Sequence, residues 1–354
     1  MPTASSIDST AKALMQQYDV QGMALAVIDR GQVSHVAAYG RRSAKSDGPL
    51  DTNTIMYGAS LTKTAAAVLV LQLVDEGRMA LDTPLVRYLP KPISAYEDYQ
   101  DISSDARINR VTARMVLSHT TGFANFRWLE PDERLRFHHE PGKRYGYSGE
   151  GFYLLQLAIE EGLGIELGSA MQTRIFDRIG MPRTSMMWRP DFRENLADGF
   201  TLDGTHEPHD ERSAPRAAGS MDTDIADQAR LWASILRGDG LSPASRAELV
   251  KPQVAITSAQ QFPTLTAPEG QFHTTHHLAA GVGVVTYQDP RGLVFWKGGH
   301  NDSTGNIVVC IEAEQRCLVL LGNDVRAERV YPELVAAVLG PLNFPWSWEY
   351  GPKS

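Results

Sequence analysis

Strand-like sequence gathers at the two ends of this chain and is scarce in its middle. "GMALAVIDRGQVSHVAAYG" (Gly22–Gly40) holds two β-rich runs separated by Asp29, Arg30 and Gly31, a hairpin signal. The β pattern returns only from about Ala279, in "AAGVGVVTYQD", "GLVFWKGGH", "NIVVCIEA" and "RCLVLLGND". Between about Leu81 and Pro263 the segments "TARMVLSHT", "GFYLLQLAIEEGLG", "LGSAMQTRIFDRIG" and "DIADQARLWASILRGDG" carry helical spacing instead. Further helices are expected over Asp8–Tyr18, from Ser60 to a cap near Gly77, and in "RVYPELVAAVLG" near the C-terminus. The expected class is α+β: an antiparallel sheet flanked by helices and built from both chain ends. Residues 1–80 and 265–354 would form one discontinuous domain and residues 81–264 an inserted, mostly helical one, with the active site at their junction.

The 354 residues can bury a core without a disulfide or metal. A net charge of -8 leaves no basic excess for phosphates, which argues against nucleic acid and an anionic membrane surface as partners. No stretch approaches the roughly 20 apolar residues of a membrane span. "MPTASSIDST" lacks a basic region followed by an apolar core, so no secretory signal is expected in this chain. That favours a cytoplasmic protein and leaves a processed periplasmic or secreted form open. The two cysteines, Cys310 and Cys317, fall on a hairpin turning near Ala313 and Glu314, which faces them across the strands. A cross-strand disulfide is conceivable there, but so few cysteines favour two buried, reduced thiols.

In "YGASLTKTAAAVLVLQLVDEG" (Tyr57–Gly77) a lysine, Lys63, stands inside an apolar helical run, three residues after Ser60. An ammonium there must be paired, neutralised or useful. Burial disfavours its charged form and makes the amine a base near neutral pH. Positions i and i+3 share a helix face, so Lys63 reaches Ser60, itself placed at a helix start that favours developing negative charge. A serine beside a base is an activated nucleophile. Roughly one or two Ser-x-x-Lys matches arise by chance in such a chain, so other residues must decide.

Two further stretches bear on this. "PGKRYGYSGEGFYLLQLAIEEG" (Pro141–Gly162) leads through Pro and Gly punctuation into Tyr145, Tyr147 and Ser148 at a helix start, where a phenol can move a proton. "WKGGHNDSTGN" (Trp296–Asn306) joins two strands and carries His300, Asn301 and Asp302; its backbone N–H groups can complete an oxyanion hole with that of Ser60.

Together these stretches resemble the serine β-lactamase and penicillin-binding protein superfamily, in the branch of class C β-lactamases, DD-peptidases and family VIII carboxylesterases. "LSHTTGF", "RIFDRIGMPRTSM" and "APRAAGSMDTDIADQARLWASIL" also read like that branch. The resemblance implies a β-lactamase/transpeptidase-like fold and no cofactor. It places Ser-x-x-Lys on Ser60 and Lys63, as nucleophile and base, and Tyr-x-Asn on Tyr147, Ser148 and Gly149, with Tyr147 transferring protons. Lys-Thr-Gly falls on His300, Asn301 and Asp302, and the oxyanion hole on the N–H groups of Ser60 and Ser303. Gly149, His300, Asn301 and Asp302 would then contact substrate. Glycine at 149, histidine at 300 and aspartate at 302 all weaken recognition of a β-lactam or an acyl-D-Ala-D-Ala peptide.

The expected activity is a serine hydrolase of carboxylesterase type on small or medium esters or amides, through an acyl-enzyme. A β-lactamase or D-amino-acid-specific peptidase, an acyltransferase and a non-catalytic penicillin-binding-like fold are the alternatives. The histidines of "THEPHD" (His206, His209, with Asp210) and "FHTTHHL" (His273, His276, His277) lack a zinc-ligand spacing, and no metal is expected. "GLGIELG" follows a helix rather than a strand and reads as a helix-ending turn, not a nucleotide loop.

Overall fold

The computed structural model describes residues 2–45 and 48–351. Its centre is an eight-stranded antiparallel sheet. The strands are β1 (Gly22–Asp29), β2 (Gln32–Gly40), β3 (Val254–Ala255), β4 (Ala279–Ala280), β5 (Val285–Asp289), β6 (Gly292–His300), β7 (Gly305–Ile311) and β8 (Arg316–Gly322). Their spatial order is β2-β1-β8-β7-β6-β5-β4-β3, so the N-terminal hairpin joins the C-terminal strands through β1 and β8. The sheet is therefore assembled from both ends of the chain, as the strand distribution predicts. The β1–β2 turn puts Arg30 at φ 52° and Gly31 at φ 72°, the left-handed pair that a two-residue hairpin requires.

β1, β7 and β8 are apolar along most of their length, the exceptions being Asp29, Asn306 and Arg316, because both faces of the sheet are covered. Ala24, Ala26, Val308, Cys310, Cys317, Val319 and Leu321 pack with α2 (Leu61–Asp75) and α4 (Ile225–Arg237) on one face. Met23, Leu25, Ile307, Val309, Leu318 and Leu320 pack with α1 (Ala4–Gln17) and α6 (Tyr331–Leu339) on the other. The period-2 alternation survives as a division between two cores rather than between core and solvent. α1 starts four residues before the expected Asp8, because the Thr3 hydroxyl caps it by accepting from Ser6 N.

The middle of the chain contributes α3 (Glu150–Leu157), α4 and α5 (Pro243–Val250), with many single-turn pieces. α4 and α5 belong to the layer over the sheet: α4 packs on β1, β2 and β8, and α5 on α2. β3, at Val254, also joins the sheet. After α6 a short helix, α7 (Trp346–Tyr350), which the sequence pattern did not signal, tucks Trp348 into the second core.

One expectation is corrected. Cys310 and Cys317 are direct partners in the β7–β8 register, on one face, and are joined as a disulfide. The pairing geometry outweighs the compositional argument for free thiols. Among the described residues, no helix is long and apolar enough to cross a membrane.

Candidate active site

α2 is buried on all sides from Leu61 to Leu73, which explains its lack of a polar face. Ser60 sits just before its first turn, and its hydroxyl makes no capping bond. The preceding Ala59 stands at φ 46°, a left-handed conformation unusual for a residue with a Cβ, so the chain enters the helix through a strained link. Gly299 of β6 packs beneath this start: a Cβ there would lie 2.9 Å from Ser60 N and 3.1 Å from Leu61 N.

Lys63 is 1% exposed. Its Nζ lies 3.1 Å from Ser60 Oγ and donates to Ala218 O at 2.5 Å. Burial lowers its pKa, with Lys297 adding to the effect and Tyr147 opposing it. A neutral amine that donates to Ala218 O keeps its lone pair for the Ser60 proton. Tyr147 is buried over the same amine, its ring centroid 5.0 Å from Lys63 Nζ. His119 stacks on that ring at 4.2 Å, and Phe262 meets it edge-on. His119 Nδ1 accepts from Ser148 N at 3.1 Å. Burial, with the two nearby lysines, holds this imidazole well below its usual pKa. The Ser148 hydroxyl is spent on Ala124 O and Gly151 N, which fixes the turn into α3.

The lysine beside Tyr147 is one the motif reading missed. Lys297 Nζ donates to Tyr147 Oη at 3.3 Å and to Gly298 O at 2.7 Å. Burial brings its pKa down to about 8, against the pull of Glu349. The cation position expected at His300 is thus filled three residues earlier, and Lys297, Gly298 and Gly299 stand where Lys-Thr-Gly was placed on His300, Asn301 and Asp302. His300 lies at the exposed end of β6 and faces Glu328 at 3.1 Å. Burial pulls its pKa down, but the hydrogen bond and charge of Glu328 outweigh this and raise it. Asn301 lines the cleft with His300, whereas Asp302 borders a separate hollow beside Thr201–Asp203.

Ser303, the second expected oxyanion donor, already gives its N–H to Asn301 Oδ1 at 3.0 Å. A different N–H is available. Asn301 N donates to Thr304 O, so the antiparallel alternation turns the His300 N–H away from β7. On that side β5 has ended, its pairing reaching only Trp296.

Gly149 lies under the Phe126 ring, which would collide with any Cβ at this position. Phe126 in turn stacks on the exposed Trp128 at 4.1 Å. The space an asparagine side chain would need two residues after Tyr147 is filled by that ring. In front of Ser60 opens a cleft of about 520 Å³, bordered by Tyr57, Phe126, Trp128, Tyr153, Arg212 and Arg216. The histidines of the first cluster form local pairs, His206 facing Asp198 at 2.8 Å and His209 facing Asp222 at 3.0 Å, while Asp210 borders the cleft. Among the described residues, no three His, Cys, Asp or Glu side chains come together as a metal site.

A sheet built from both chain ends, with a serine and a buried lysine at the start of a helix laid across it, is the architecture of the β-lactamase and penicillin-binding-protein fold. The model of the Beta-lactamase family matches residues 7–339, and the chain belongs to that family. It is similar to penicillin-binding protein 4 of Amycolatopsis lactamdurans, at 27% identity over 93% of this chain and 88% of that protein. It is also similar to Esterase EstB of Burkholderia gladioli, at 25% identity over 51% of this chain and 53% of that one. Against several relatives the matched stretch spans only part of their length, 23% of a β-lactamase of Pseudomonas fluorescens and 56% of a lovastatin esterase of Penicillium rubens. D-alanine carboxypeptidase AmpC of Burkholderia cenocepacia shares the fold, with a TM-score of 0.75 at 19% identity, covering 96% of this chain and 99% of that one.

Proposed function

We propose that the protein is a serine hydrolase of carboxylesterase type that works through a covalent acyl-enzyme on Ser60. The carrying observation is the buried Lys63 amine 3.1 Å from the Ser60 hydroxyl. Lys63 takes the hydroxyl proton as Ser60 Oγ bonds the substrate's carbonyl carbon, and the carbonyl oxygen takes the displaced electron pair. The N–H groups of Ser60 and His300 receive that oxyanion. As the tetrahedral adduct collapses, the C–O bond to the leaving alcohol breaks. Tyr147, with the Lys297 ammonium at its oxygen, passes its phenolic proton to the alcohol and takes the Ser60 proton back from Lys63, which restores the neutral amine and the phenol. Water then attacks the acyl-enzyme by the same route and releases the acid. An alcohol or amine in place of water makes the reaction an acyl transfer.

Tyr57, Phe126, Trp128 and Tyr153 on the cleft wall support an ester with an apolar acyl group, with Asp210, Arg212 and Arg216 at the same cleft offering contacts to a polar end of the substrate. Gly149 under Phe126 leaves no side-chain amide to hold an acylamino group, and the similarity to an esterase points the same way. One observation favours a second reading, a β-lactamase or D-amino-acid-specific peptidase: Lys297 supplies the cation that His300 was thought to replace. Hydrolysis of short p-nitrophenyl esters against nitrocefin, with Ser60→Ala as control, separates the readings. Ester turnover abolished by Ser60→Ala supports the esterase. Faster turnover of nitrocefin favours the second reading, and activity surviving in Ser60→Ala refutes both.

A further inference from the structure

His119 follows the short helix Ala113–Leu117 and stands at φ 54°, the left-handed conformation in which a helix exit ordinarily uses glycine. Keeping a side chain there costs conformational energy that the surroundings must offset. That side chain is buried among Tyr145, Tyr147 and Phe152, at ring-centroid distances of 5.9, 4.2 and 5.5 Å.

Tyr147 is gripped by this one residue in three places. The His119 carbonyl oxygen accepts from Gly146 N at 2.7 Å, and its Nδ1 accepts from Ser148 N at 3.1 Å. Its ring stacks on the Tyr147 ring with 26° between the planes. Both sequence neighbours of the tyrosine are thus tied to His119, and the phenol ring between them lies against the imidazole. A backbone N–H only donates, so Nδ1 carries a lone pair and the proton of the neutral ring sits on Nε2. An uncharged imidazole adds no third cation beside Lys63 and Lys297. The phenol oxygen has a weaker hold of its own, since the bond from Lys297 Nζ is 3.3 Å long. Where that oxygen stands is therefore decided by the backbone clamp and the stacked ring.

We propose that His119 is a positioning residue for Tyr147, fixing the phenol oxygen where it hands its proton to the leaving group. This rests on the reading of Ser60, Lys63 and Tyr147 given above. His119 itself makes and breaks no bond in the reaction. The side chain's two contributions separate by substitution. His119→Ala removes both the Nδ1 acceptor and the stack. His119→Asn tolerates the left-handed backbone and offers Oδ1 in place of Nδ1, so it keeps the Ser148 bond and loses the stack.

The readout is dependence on the leaving group. 4-Methoxyphenyl butyrate and p-nitrophenyl butyrate share an acyl group, and the methoxyphenol is the weaker acid, so its departure needs the proton more. In His119→Ala, kcat/KM for the methoxyphenyl ester should fall about tenfold or more, and that for the nitrophenyl ester by a factor about three times smaller or less. His119→Asn should lie between His119→Ala and wild type, with the same bias toward the methoxyphenyl ester. In a Tyr147→Phe background, where no phenol proton is left to place, either substitution should cost less than about twofold further. If circular dichroism shows that His119→Ala folds poorly, His119→Asn carries the same comparisons. Wild-type rates in the folded variants overturn the proposal. So do equal losses on the two esters, or losses that multiply with that of Tyr147→Phe, each of which removes the role of His119 alone. Hydrolysis that survives Ser60→Ala, or a near-normal rate in Tyr147→Phe, sinks instead the reading of the site on which the role depends.

Discussion

Lys63 and Lys297 are 1% and 5% exposed, packed among the rings of Tyr147, His119 and Phe152, whereas His300, Asn301 and Asp302, only a few residues along the chain from Lys297, stand in solvent. The buried corner is over-determined. Each amine is placed by a backbone carbonyl, each ring by another ring, and Gly299 lets the helix start approach the strand. The rim is held by few bonds, chiefly His300 to Glu328 and Asn301 to Ser303. Where side chains are locked, a substitution disturbs the chemistry; where they are loosely held, it alters at most what enters.

That contrast is open to attack in order of size. Ser60→Ala should remove ester turnover, and Lys63→Ala should lower it by at least about 10²-fold, the usual worth of a general base. Tyr147→Phe should behave like Lys63→Ala. Steady-state kinetics showing near-normal rates in either variant would break the buried-corner argument. Gly149→Ala is expected to cost about 1–3 kcal/mol in stability through its clash with Phe126. Much of that loss should return in Gly149→Ala/Phe126→Ala, so urea unfolding of the double mutant tests whether the ring fills the slot. At the rim, Asp302→Gly should change both stability and kcat/KM for a neutral ester by no more than roughly twofold, as surface substitutions usually do. A tenfold loss there would show that the turn takes part in the reaction.

The same contrast explains what could be read from sequence. A lysine inside the apolar run of α2 is an anomaly visible without coordinates, and Ser60 and Tyr147 follow from it. Lys297 is the same kind of anomaly. It follows Val294, Phe295 and Trp296 in a strand, and the reasoning applied to Lys63 would have singled it out. The register of Lys-Thr-Gly was instead placed on His300, and the pattern Lys297-Gly298-Gly299 was passed over. Sheet topology was legible because both ends carry long apolar runs. The two-residue strand at Val254 was not, since pairing rather than side-chain pattern defines it.

Ala59 carries a consequence of its own. Holding a methyl-bearing residue at φ 46° costs about 1 kcal/mol relative to glycine, and the cost falls on the peptide that leads into Ser60, the proposed nucleophile. Resilience to heat and accuracy of attack are therefore set against each other at a single backbone angle: Ala59→Gly should melt at a higher temperature while firing its serine less well.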